Sequence, residues 1–84
     1  MPPKRYYLVR TPYHRGRVLT AGLYHSNKRG AIARAKSEAY EWRHHTPVRD
    51  RRVSVYTVNP GQRPTLLYQC HFDRRSGKIV SEVL

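Results

Sequence analysis

Arg29, Lys36 and Arg43 recur every seven residues. At 100° per residue, a helix keeps them within about 40° of one another, so they form a stripe along one edge. No acidic residue stands three or four positions from any of them. An unpaired stripe of this kind can follow a phosphate backbone, each cation neutralising one phosphate and releasing its counterions. The plain alternative is a solvated helix edge. Arg34 differs, because Glu38 follows four residues on and can hold it. Glu41 likewise stands four residues before His45.

Further cations gather at turns. Arg15 and Arg17 bracket a first hairpin turn, and Arg49, Arg51 and Arg52 precede a third strand. Arg74, Arg75 and Lys78 surround the last turn, and only Asp50 and Asp73 are interspersed in these clusters. Turn tips reach outward, so these arginines can extend a polyanion-binding surface. The expected contact set is therefore Arg29, Lys36 and Arg43, with Arg15, Arg17, Arg51, Arg52, Arg74 and Arg75. Tyrosines are interleaved with cations: Tyr6 and Tyr7 beside Arg5 and Arg10, Tyr13 beside Arg15, Tyr56 beside Arg52. On an open sheet such rings can stack on unpaired bases, whereas beneath a helix they are simply core. Alternation along a strand prevents Tyr6 and Tyr7 from both facing that core.

Other chemistry is poorly supplied. His44-His45 and Cys70-His71 have zinc-binding residue types without the spacing, since strand neighbours point to opposite faces and no second Cys exists. Cys70 is expected to be a packed small hydrophobe. Glu38 and Glu41 lie three apart, each with a basic neighbour, whereas a two-metal nuclease needs clustered carboxylates. No nucleophile–base pair and no Gly-rich phosphate loop is recognisable. The expectation is a non-enzymatic protein with no cofactor and no metal.

The elements that must position these residues follow from pattern and punctuation. Met1–Arg5 reads as a frayed basic lead, and Tyr6–Thr11 as a β-rich strand ended by Pro12. Arg17–Tyr24 is a second strand, with Gly22 marking a bulge or a close approach. Ser26 and Asn27 are N-cap residues that open one helix over Asn27–His44, stopped by Pro47. Ile32, Ala35, Ala39 and Trp42 follow 3-4-3 spacing, giving a thin apolar face with most of its area at Trp42. Gly30 costs that helix up to ~1 kcal/mol relative to Ala. In the next strand, within Val48–Asn59, Val53, Val55 and Thr57 share one side and Ser54, Tyr56 and Val58 the other. After a turn over Asn59–Pro64, Thr65–Phe72 puts Leu66, Tyr68, Cys70 and Phe72 on one side, with Leu67, Gln69 and His71 on the other. Asp73–Lys78 forms a hairpin turn with Gly77 at a left-handed position, and Ile79–Leu84 is the last strand. The order β-β-α-β-β-β gives an α+β fold, one helix packed on an antiparallel sheet whose other face carries Tyr and Arg.

Eighty-four residues allow one small basic domain over 1–84, with a single modest core. Seventeen basic against five acidic residues leave a net charge of +12, which attracts polyanions and repels cationic partners. Thirteen of the cations are Arg, whose fork suits phosphate oxygens. No apolar run approaches the ~20 residues of a membrane span, no signal-peptide core is present, and one Cys cannot form an intrachain disulfide. A soluble cytoplasmic protein that binds no membrane is expected. Over Tyr6–Arg43, a strand hairpin followed by a helix resembles, in order and charge, small sheet-plus-helix DNA-binding modules such as the arm-binding domains of phage integrases. The three later strands depart from that pattern, and no residue role is carried over. The leading expectation is a nucleic-acid-binding protein, such as a phage or bacterial accessory protein, contacting DNA or RNA mainly through phosphates. The alternative is an interaction module, an inhibitor or adaptor docking on an acidic protein surface, because Arg and Tyr are enriched at such interfaces too. Self-assembly through Ile79–Leu84 is a third possibility, favoured if that strand is unpaired within the monomer.

Overall fold

The computed structural model describes residues 5–11, 23–44 and 52–83. Among them run β1 (Tyr6–Arg10), β2 (Leu23–His25), α1 (Lys28–Glu41), β3 (Val53–Val58), β4 (Thr65–Asp73) and β5 (Lys78–Val83). The five strands make one antiparallel sheet in the order β2-β1-β3-β4-β5. This is the expected helix-on-sheet α+β fold. The sequence left the strand order open, and the structure answers it: β1 lies between β2 and β3, and α1 makes the crossover that connects those two strands. Arg5, expected in a frayed lead, donates from Nε to Asn59 Oδ1 at 2.8 Å. No described helix is long and apolar enough to cross a membrane.

Asn27 starts the helix. Its extended backbone (φ −133°, ψ 153°) and its side chain, which accepts from the Gly30 N–H at 2.6 Å, satisfy a donor the first turn would leave free. Gly30 is thereby explained: a Cβ there would stand 3.0 Å from Asn27 Oδ1. The helix stops at Glu41, three residues short of the expected end. Trp42 leaves helical geometry (φ −92°, ψ 10°) while its N–H still donates to Glu38 O at 3.1 Å, and Arg43 N donates to Tyr40 O at 3.2 Å. This tightened turn leaves Trp42 only 9% exposed.

The core is thin because the helix meets the sheet through alanine. Ala31, Ala35 and Ala39 are fully buried against Val9, Val53, Val55, Tyr68 and Cys70. Ile32, expected on the buried face, sits on its shoulder and is only partly buried; Ala31 takes the inner position, completing a row at four-residue spacing. With no side chain beyond Cβ, that row lets the helix axis approach the sheet closely. Tyr7 packs against this core while Tyr6 lies on the opposite face, as alternation requires.

One strand breaks the expected alternation. Val55 pairs with Tyr68 but Tyr56 pairs with Leu66, so Leu67 is the extra residue of a β-bulge. Leu66 is thereby switched to the face away from the helix, opposite Tyr56, and Leu67 packs toward the core. The expected grouping of Leu66 with Tyr68, Cys70 and Phe72 is corrected accordingly. Gly77 takes the left-handed conformation (φ +70°) and donates to Asp73 O at 2.8 Å, closing the last hairpin as read from sequence.

Candidate nucleic-acid interface

The cap at Asn27 and the alanine row fix the rotation of α1 and thereby which side chains flank it. Arg29 and Lys36 are exposed and have no acidic partner among the described residues. Lys28, which the sequence reading did not single out, joins them: Lys28, Arg29, Ile32, Ala33 and Lys36 line one open depression. Lys28, Ile32 and Lys36 are spaced by four, and that pattern could have signalled the shared flank. The opposite flank holds the helix acids. Arg34 Nη2 lies 3.0 Å from Glu38 Oε1, the expected i,i+4 pair; His45, the expected partner of Glu41, lies outside the described residues.

Arg43 is less free than its stripe neighbours. Its guanidinium carbon lies 4.0 Å over the centre of the Tyr40 ring, and Nη1 donates to Tyr40 O at 2.9 Å. Tyr40 in turn meets Phe72 of β4 edge-on at 5.9 Å. Through the contact of Tyr40 with Phe72, the basic flank lies on the β4 side of the sheet.

The turn arginines divide. Arg15, Arg17 and Arg51 lie outside the described residues, as does Arg49. Arg74 does not project freely: Nε donates to Arg43 O at 3.1 Å and Nη2 to His44 O, tying the last hairpin turn to the turn that follows the helix. Arg75 is exposed at the turn tip. Its neighbour Asp73 is spent on the turn, accepting from Ser76 N at 3.2 Å and Arg75 N at 3.4 Å. The Ser76 hydroxyl, and then these backbone donors, hold the Asp73 carboxyl below its usual range. Arg52 is half-buried, with Nε inaccessible and unpaired among the described residues. The structure thus brings Arg29, Lys36 and Arg43 onto one flank with Lys28, leaves Arg75 at a separate tip, and gives Arg74 a structural contact.

The sheet face away from the helix carries a second feature. The register aligns Tyr24, Leu8, Tyr56 and Leu66 across four strands. Tyr24 is 66% exposed and its ring centre is 5.3 Å from that of Tyr6. Cys70 and His71 lie on opposite faces, as expected from strand geometry. Burial pushes the Cys70 thiol above its ordinary value, with the Tyr68 hydroxyl and Lys36 pulling back more weakly. Burial likewise raises Tyr68, whose hydroxyl lies 2.5 Å from Ser81 Oγ.

No family model, curated protein or solved structure matches this chain.

Proposed function

We propose that this protein binds nucleic acid through backbone phosphates, with the α1 flank of Lys28, Arg29 and Lys36 as its central contact. The observation that carries the reading is the segregation of charge around the helix. The exposed cations of one flank have no acidic partner among the described residues, while Glu38 is neutralised by Arg34 on the other. Unpaired cations held on a helix need no backbone ordering to meet a phosphate row, and each contact releases counterions. Arg43, already stacked on Tyr40, adds a charge at the end of the same flank, and Arg75 a more distant one. A binding role without catalysis fits the chemistry, since the Cys70 thiol is buried with its proton held and Glu38 is engaged by Arg34. Cys70, a lone buried thiol, suits a reducing cytoplasmic setting.

The test is a fluorescence-anisotropy titration of labelled random duplex and of single strand at two salt concentrations. Binding that weakens linearly in log–log form with salt is expected. Absence of binding to either strand form at low salt would refute the reading and favour an acidic protein surface as partner.

A further inference from the structure

β5 is the last strand of the sheet: β4 pairs with it on one side, and among the described residues no strand pairs with the other. Lys78–Val83 is thus paired with β4 inside the monomer, against the condition that favours self-assembly through the last strand, but the outward half of its backbone groups remains available. An open edge is a template for another strand. Lys78, Val80 and Glu82 lie on the face away from the helix, opposite Asp73, His71 and Gln69 of β4. All three are exposed, Val80 by 38%, and neither Lys78 nor Glu82 forms an ion pair among the described residues.

The order Lys78-Ile79-Val80-Ser81-Glu82 has opposite charges placed symmetrically about Val80. We infer that the free edge of β5 pairs antiparallel with β5 of a second copy, with Val80 opposite Val80. In that register Lys78 of each copy meets Glu82 of the other, twice, around a central apolar contact. Cross-strand pairs of opposite charge stabilise a sheet and like pairs oppose it. A slip of two residues either way sets a charged residue against Val80 and loses both ion pairs, so the register is specified by charge. The interface is isologous and closes on itself, giving a dimer rather than a filament. Because Val80 lies on the same face in both copies, the two helices share one side of a ten-stranded sheet. The basic flank of each α1, on the β4 side, then faces the dyad.

The experiment is sedimentation equilibrium of the full chain without nucleic acid, so it stands or falls independently of the proposed binding. A concentration-dependent monomer–dimer equilibrium is expected. Glu82→Lys replaces two attractive pairs by two repulsive ones and should raise the dissociation constant about tenfold or more. Lys78→Glu should do the same, and Lys78→Glu with Glu82→Lys together should restore dimerisation at unchanged net charge. Glu41→Lys, which alters net charge as Glu82→Lys does but on the helix, should leave it unaltered. Val80→Cys should cross-link under mild oxidation of the native protein, since antiparallel partners stand about 4.5–5.5 Å apart at Cα, within disulfide reach. The wild type should not, its Cys70 being buried. A chain that stays monomeric with no Val80→Cys cross-link overturns the proposal. So does a dimer indifferent to Glu82→Lys, or one that the double exchange fails to restore.

Discussion

Arg74 Nε donates to the carbonyl of Arg43 across 3.1 Å, joining the β4–β5 turn to the turn that follows α1. With the second donation to His44 O, the guanidinium satisfies two carbonyls of the turn that follows the helix and pins that turn to the last hairpin. Arg74→Ala should therefore cost about 1 kcal/mol, a partly exposed version of a charged hydrogen bond. For a domain of this size that lowers Tm by roughly 4–8 °C. Arg75→Ala, one residue on, should leave Tm unchanged. Thermal melts of the two variants followed by circular dichroism check the contrast, and equal Tm values would contradict a stabilising link between the two turns.

The Asn27 cap predicts an unusual coupling. Gly30→Ala removes a flexible residue and should gain up to ~1 kcal/mol of helix propensity. Its new Cβ would crowd Asn27 Oδ1, putting at risk a cap worth about 1 kcal/mol. The single variant should thus be neutral or destabilised. In an Asn27→Ala background the same substitution should stabilise. Chemical denaturation of the four proteins gives the cycle, and strict additivity would show that the cap tolerates the methyl group.

Trp42 closes the far end of a core whose largest fully buried aliphatic, among the described residues, is valine. Trp42→Ala should cost roughly 3–5 kcal/mol, a large share of the total for so small a domain, and leave little folded protein near 37 °C. Ile32→Ala, on the half-buried shoulder, should cost less than half as much. A native-like melt for Trp42→Ala would refute the burial of the helix end.

These residues also mark where the sequence is legible. Asn27 as cap, Gly77 as turn residue and the alternation of Val53 with Val55 follow from local geometry, which each residue type reports directly. Ala35, Ala39 and Trp42 are buried as their spacing predicts, and only the first member of the face differs, because Ile32 outranks Ala31 in hydrophobicity. The structure prefers the smaller residue there, since close approach to the sheet is the quantity being satisfied. The bulge at Leu67 left no trace in a run of apolar residues that reads equally well in either phase. At the site, the stripe of Arg29 and Lys36 was visible from spacing, but the capture of Arg74 by carbonyls 30 and 31 residues away was not. Composition counts an arginine's charge and says nothing of a carbonyl brought near by tertiary folding.

The buried pair Tyr68 and Cys70 sets an alkaline limit. Burial raises both above their ordinary values of 10.0 and 9.0, so each binds its proton more tightly folded than unfolded. The stability this contributes is fully present below the unfolded values and is lost as pH rises through the folded ones. Denaturation midpoints should therefore be flat through neutral pH and fall once pH passes about 9. Cys70→Ala should remove the thiol's share of that fall while lowering stability at all pH by the lost packing. A wild-type midpoint that rose above pH 9 would contradict the burial of both groups.

The last prediction concerns the helix flank. If Lys28, Arg29 and Lys36 each neutralise a phosphate, replacing all three with Ala should weaken binding to every duplex sequence about equally, because charge carries no base code. Each lost contact removes about 0.9 from the salt slope, so the triple variant should flatten it by roughly 2.7. The fold should survive, since Ala is the best helix former and the three side chains are exposed. Arg43→Ala should behave differently. It gives up the stacking on Tyr40 as well as a charge, so it should lower Tm slightly while changing the slope by less than one contact's worth. A triple variant that kept its circular dichroism, its affinity and its full salt slope would remove the flank from the binding surface. Arg75, with Arg15, Arg17 and Arg51, would then be substituted in turn. If they too left the slope unchanged, phosphate contact could not account for the binding, and an acidic protein surface would be the partner to test.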